Sequence, residues 1–423
     1  MRLRPALLAL GLAAALAPAT GRAQASKYNL KPGGGGRVCL GCHVTFGDVL
    51  KRPSVHTPVK ALQCTGCHSP HTSNHPKLLA AAPDATCGGC HGSVTPAQAK
   101  SVHRPVAEAK CTSCHDPHGS GFKANLVKGG RDLCATCHKG IVEAASKATA
   151  KHRPLEQSGC GACHLAHGSA QGPSLLRKAV PALCVECHRV DRPAFLKQHL
   201  GYTVGKKDCT SCHDPHGSSR RGMLYDKVHA PVARGMCNQC HGAAGSADQF
   251  ATKAAASALC KGCHAQKLQA MMEKNRIHAP VVEGAGCLNC HAPHASKEKG
   301  LLRGDIVTVC GSCHAESIKR AERSDAKHPP VVAGECTACH DPHSGNRPLL
   351  FTDATVVTLC GTCHDWLQHS SHPMGDKAKD PRNRNLTVDC LSCHRGHGTE
   401  HKKLLLEATQ PELCTKCHTK YRG

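Results

Sequence analysis

The sequence predicts a mostly irregular chain with short α-helices and little or no β-sheet, built as a repeated array. Three observations carry that reading. The 423 residues include only five Phe, four Tyr and one Trp, too few large apolar side chains to fill an ordinary domain interior. The 41 Gly and 26 Pro work against long regular elements. Cys and His, 32 and 34 in number, recur at near-constant spacing along the chain. Something other than packed side chains must form the interior.

Residues 1–25 have the form of an export signal. Arg2 and Arg4 open it, residues 5–18 supply a short apolar stretch, and Ala23-Gln24-Ala25 offers a small-residue cleavage site. The stretch is too short to span a bilayer, and no later segment has 18 apolar residues in a row. The expectation is an exported protein with no membrane span once the signal is removed. The periplasm is the first location, with outer-membrane-associated and extracellular placements as alternatives.

Outside the cytoplasm, cysteines first suggest disulfides. Here every cysteine belongs to a C-x-x-C pair, and every pair is followed at once by His. The first cysteines are Cys39, Cys64, Cys87, Cys111, Cys134, Cys160, Cys184, Cys209, Cys237, Cys260, Cys287, Cys310, Cys336, Cys360, Cys390 and Cys414. The second are Cys42, Cys67, Cys90, Cys114, Cys137, Cys163, Cys187, Cys212, Cys240, Cys263, Cys290, Cys313, Cys339, Cys363, Cys393 and Cys417. C-x-x-C-H is the attachment signal for c-type haem. Two thioethers clamp one porphyrin edge, and the next residue brings an imidazole under the iron. Neither zinc ribbons nor redox C-x-x-C pairs require the trailing His. The proximal ligands expected are His43, His68, His91, His115, His138, His164, His188, His213, His241, His264, His291, His314, His340, His364, His394 and His418, with sixteen covalent haems c.

Eighteen histidines remain. Seven stand three residues after a motif His: His71, His118, His167, His216, His294, His343 and His397. Seven stand eight to ten residues before a motif: His56, His103, His152, His199, His229, His278 and His328, six of them in His-x-Pro-Val or His-x-Pro-Leu. With His372, these are the expected distal ligands, and His75, His369 and His401 are further candidates. The six Met do not recur in register, so bis-His ligation is the reading, with lower potentials than His/Met. A plus-three His shares a helical face with its own motif His, where the iron is already ligated. It should therefore serve a neighbouring haem.

The motifs alternate. First-type motifs, at Cys64, Cys111, Cys160, Cys209, Cys237, Cys287, Cys336 and Cys390, have a His upstream and usually one three residues after. Second-type motifs, at Cys39, Cys87, Cys134, Cys184, Cys260, Cys310, Cys360 and Cys414, mostly follow Leu or Val. Seven first–second pairs are 23 or 24 residues apart, and Cys39 and Cys209 stand outside them. Such a repeat implies a modular array. It breaks near 217–228, which divides the mature chain into halves of eight motifs, 26–228 and 229–423, with 31–36 as a flexible leader. Helices are expected over 141–152 and 315–328, and tight turns at the Asp-Pro-His-Gly steps.

The formal charge is +24, or +21 without the three leader arginines. Sixteen haems add about 32 negative propionate charges and, when ferric, about 16 positive ones. The basic excess therefore reads as propionate pairing, and with so few aromatics to stack bases nucleic acid is excluded as a partner. About 25 residues per haem cannot insulate one haem from the next. The haems would form the core.

The chain resembles the doubled CXXCH motif multihaem c-type cytochromes, through stretches such as HRPVAEAKCTSCHDPHGS (103–120) and HPPVVAGECTACHDPHSG (328–345), with LCATCH (133–138) and LCGTCH (359–364) as second motifs. The resemblance implies an extended multihaem array with a haem-packed core. It also implies an electron carrier or conduit rather than an enzyme, serving redox protein donors and acceptors in periplasmic or extracellular respiration. Porin-associated members make an outer-membrane porin a further expected partner. Two departures stand out: sixteen motifs exceed the ten-haem porin-inserted type, and no His follows His241 by three residues. That gap raises an alternative, a multihaem reductase with one open haem. A self-assembling haem filament is a third reading.

Overall fold

The computed structural model describes residues 35–365, 372–376 and 378–421. The expected export signal at 1–25, the expected leader residues 31–34 and His369 lie outside them. The chain forms short α-helices, one-turn 3₁₀ segments and a few two-stranded ladders. No described helix is long and apolar enough to cross a membrane. The described residues fall into two units, one running to Val94 and taking in His103–Gly129, the other made of Thr95–Val102 and Gly130 onward.

Each C-x-x-C-H is a single helical turn. The carbonyl of Cys64 accepts the amides of Cys67 (3.2 Å) and His68 (2.9 Å), and the same pattern recurs at Cys209, Cys287 and Cys390. Positions i, i+3 and i+4 share a face of such a turn, so both sulfurs and the imidazole are presented together. Upstream, the His-x-Pro histidines stand in extended backbone as N-caps of short helices, as His56 does for Thr57–Lys60 and His229 for Ala230–Ala233. Proline in a first helical turn forfeits no hydrogen bond. His-x-Pro is therefore a strand-to-helix corner.

The residues just before that corner pair with the plus-three loop of the next first-type motif. Ser54–Val55 pairs antiparallel with Gly119–Ser120, Lys227–Val228 with Ala295–Ser296, and Arg276–Ile277 with Ser344–Gly345. Single bridges do the same at Ala150 with Ser218 and Ala326 with Thr399. The Asp-Pro-His steps are the expected turns: Asp116, Asp214 and Asp341 each accept the amide of the His two residues on, at 2.9–3.0 Å.

The expected helices over 141–152 and 315–328 are shorter than their composition suggests. They run Lys139–Lys147 and Ala315–Arg323. Beyond each, the chain becomes extended because Ala150 and Ala326 must reach the next module. Buried apolar residues among those described number eight, of which five are alanine.

Asp214 is the most deeply placed of the turn aspartates, its side chain 10% exposed and 2.9 Å from Lys297 Nζ. Burial pushes its carboxyl up, but hydrogen bonds from His216 and Lys297 outweigh this and hold it below the usual range. A depressed carboxylate contributes stability above its unfolded pKa of about 4, and that contribution is lost as pH falls through the folded value. Lys297→Met should destabilise by about 1–2 kcal/mol at neutral pH, allowing for the half-exposed lysine. It should also move the acid loss to higher pH. Thermal melts of both proteins from about pH 3 to 7 check this, and parallel curves would contradict it.

Candidate haem centres

The structure brings the histidines together in pairs with ring centres about 6 Å apart. Two rules describe the pairs. An upstream His meets the motif His of the second-type motif in its own module: His56 with His91 (5.8 Å), His152 with His188 (6.1 Å), His229 with His264 (6.1 Å), His278 with His314 (6.0 Å) and His328 with His364 (6.0 Å). His372 meets His418 in the same way at 6.4 Å. A plus-three His meets the motif His of the preceding first-type motif: His118 with His68 (6.0 Å), His216 with His164 (6.1 Å), His294 with His241 (5.9 Å), His343 with His291 (6.0 Å) and His397 with His340 (6.0 Å). His103, His115, His138 and His167 occupy the same repeat positions, and each has interaction partners.

This spacing fits haem iron. Two imidazole nitrogens at about 2 Å from a metal, each roughly 1.1 Å from its ring centre, put the centres about 6 Å apart. The other ring nitrogens are engaged. Nδ1 of His68, His115, His164, His213, His291, His340 and His394 lies 2.7–3.0 Å from the carbonyl of Lys77, Ala124, Ser174, Gly222, Gly300, Leu349 and Lys403 respectively. Nδ1 of His56, His152, His229 and His278 lies 2.8–2.9 Å from the carbonyl of Pro117, Pro215, Pro293 and Pro342. A carbonyl can only accept, so Nδ1 carries the proton and Nε2 keeps the lone pair that binds a metal. Burial also holds His118, His152, His213, His294, His328, His343 and His397 below the usual histidine pKa. Burial thus favours the neutral form of these seven imidazoles, the form that ligates.

Residue types alone did not reveal the carbonyl cradle. The acceptors at 77, 124, 174, 222, 300, 349 and 403 open two-residue left-handed turns. Lys77 and Leu78 have φ of 59° and 55°, and Leu349 and Leu350 of 58° and 56°. Consecutive positive φ defines a type I′ turn, which normally calls for Gly or Asn. Here most positions are Leu, Lys, Ala or Ser, conformations that cost about 1 kcal/mol or more each. The available signal was positional: a Leu or Phe closing such a turn, as in Lys77-Leu78-Leu79 or Leu349-Leu350-Phe351, recurs eleven or twelve residues after seven of the eight first-type motif histidines.

The gap after His241 has a structural answer. His199 stands outside both pairing rules, its ring 6.2 Å from His213 and 4.2 Å from Phe195. In place of a plus-three loop, residues 242–250 receive Tyr202, whose hydroxyl donates to the Gly242 carbonyl at 2.7 Å. Gln249 closes on Thr203 through its side-chain amide. His199 thus stands where the missing plus-three His would have served. In the haem-loaded protein, His199→Ala should yield one new high-spin haem, on Cys209 and Cys212. Electron paramagnetic resonance checks this, and an unchanged spectrum would remove His199 from the ligand set.

All 32 cysteines lie among the described residues and none forms a disulfide. Cysteines of successive motifs adjoin. The thiols of Cys39 and Cys64 lie side by side, as do those of Cys87 and Cys111, Cys184 and Cys209, Cys260 and Cys287, Cys310 and Cys336, and Cys360 and Cys390. Second cysteines interact electrostatically with the next motif, Cys67 with Cys87, Cys212 with Cys237 and Cys393 with Cys417. While the sulfurs are thiols, burial and a neighbouring thiol push Cys184 and Cys310 up to about 11. No described cluster of His, Cys, Asp and Glu could hold a bare metal ion.

Sulfur pairs on one-turn helices, with facing imidazoles of fixed tautomer, define a multihaem c-type cytochrome that binds haem c covalently and transfers electrons. The chain belongs to the doubled CXXCH motif family, whose model matches at 56–95, 103–143, 152–193, 202–228, 229–269, 278–319, 328–369 and 384–423, well over half its length. No curated protein matches it.

Proposed function

We propose that this protein carries sixteen haems c, one per C-x-x-C-H motif, and conducts electrons over long range in periplasmic or extracellular respiration. The two halves, 26–228 and 229–423, are a division by repeat register. Bound haem supplies a one-electron iron couple at each site. The residues do the rest: paired cysteines anchor, motif histidines ligate from one side, and upstream or plus-three histidines ligate from the other. Backbone carbonyls at Nδ1 hold each imidazole so that no ligand need rearrange when charge moves. His199 beside His213 favours conduction over a reductase at the one place where the repeat lacks a plus-three His. Redox proteins are the proposed donors and acceptors, and an outer-membrane porin is the proposed seat.

The observation that supports this reading is the close approach of cysteines in successive motifs, running from Cys39 to Cys111 and from Cys163 to Cys417. Porphyrin edges anchored on adjoining sulfurs must lie close. Mixing the fully reduced protein with substoichiometric oxidant in stopped flow tests it. Conduction predicts that oxidising equivalents redistribute over all haems at a rate independent of protein concentration. Redistribution that speeds up in proportion to concentration would show isolated haems exchanging between molecules.

A further inference from the structure

The first motif breaks the pairing rules. Among the described residues no histidine ring lies against His43, and none lies against His71. The repeat explains both. Cys39 adjoins Cys64 as Cys87 does Cys111, which makes Cys39 a second-type motif. Five second-type motif histidines take their partner from an upstream His 35 or 36 residues earlier, as His91 does from His56 and His188 from His152, and His418 takes His372 from 46 residues earlier. For His43 that register falls at Leu7 or Leu8, inside the export signal, and no histidine precedes His43 anywhere. His71, by the other rule, serves a first-type motif one module earlier, and the sequence has none there. The plus-three loop of this module also differs from later ones. Where residues 119–120, 295–296 and 344–345 receive a strand, residues 72–74 have no ladder partner among the described residues and border an open cavity of about 480 Å³. His43 is exposed, and the flanking Val38 and Val44 are 59% and 70% exposed.

We infer that the haem on Cys39 and Cys42 has His43 as its only histidine ligand, and that its second axial position binds small exogenous ligands such as carbon monoxide, cyanide or nitrite. This rests on the proposed haem at every motif. This site would then be ligand-accessible, whereas the sites with paired histidines are closed by facing imidazoles and His394, which no later plus-three His reaches, has partners of its own.

The test uses the full haem-loaded protein and its Cys39→Ala/Cys42→Ala double variant. Mass spectrometry first counts haems, sixteen being expected in the parent and fifteen in the variant. Carbon monoxide is then titrated into the reduced proteins, and ferric spectra are recorded with and without cyanide. The expected result is one carbon monoxide per parent chain, one high-spin ferric signal that cyanide converts to low spin, and loss of both in the variant. Fifteen haems in the parent would refute attachment at this motif. Sixteen haems with no carbon monoxide bound would overturn the open site, whether the sixth ligand were His71 or an imidazole from a second copy. Carbon monoxide binding that survives in the variant would place the open iron elsewhere and overturn it equally.

Discussion

Produced in a host that cannot attach haem, this chain should show no cooperative unfolding transition and should be digested within minutes by a protease that leaves the haem-loaded form intact. Ordering a residue's backbone costs about 1–2 kcal/mol. A fully buried Leu or Phe returns about 1.5–3 kcal/mol. The described residues bury Ala145, Ala148, Ala295, Ala321 and Ala378 with Tyr202, Leu359 and Val388, and eight such side chains cannot offset the ordering of nearly four hundred residues. Ladders of two residues and one-turn helices do not persist alone in water. The folded state must therefore draw its apolar contact from porphyrin. Far-UV circular dichroism during heating checks this, and a sharp melt in haem-free protein would refute it.

Substituting His118 should leave its own haem untouched and change a different one. His118 follows Cys111–His115, yet its ring partner is His68, 6.0 Å away. His118→Ala should turn the haem on Cys64 and Cys67 high-spin and leave that on Cys111 and Cys114 low-spin. The loop itself should hold, because Asp116 still accepts the amide at 118 and residues 119–120 still pair with 54–55. Electron paramagnetic resonance of His118→Ala, alone and combined with Cys64→Ala/Cys67→Ala, locates the effect. The additional high-spin signal should vanish in the combined variant. Its survival there would return His118 to its own module.

Much of this architecture is written in residue types. Sulfur and imidazole have no substitutes in the chemistry of attachment and ligation, so Cys64, Cys67 and His68 announce themselves, and the scarcity of aromatics announces a borrowed core. Other parts are not written that way. The carbonyls of Lys77, Ala124 and Leu349 orient their histidines with backbone atoms, which any residue supplies, and left-handed turns on Leu and Lys contradict ordinary turn preferences. The ends of the helices over 139–147 and 315–323 are set by strands that close only against the following module. The role of His199 depends on what 242–250 lacks. Local composition carries none of these, because each is a relation between neighbouring modules.

The pairing of His68 with His118, and the carbonyl of Pro117 on His56, mean that each repeat finishes its predecessor. A chain is made from its N-terminus, so iron centres laid down early must wait for downstream polypeptide before gaining their last bond. Maturation would then advance as a zipper, one unit behind the growing chain. Shortening the molecule from its C-terminus would disable the unit just before the cut as well as the one removed.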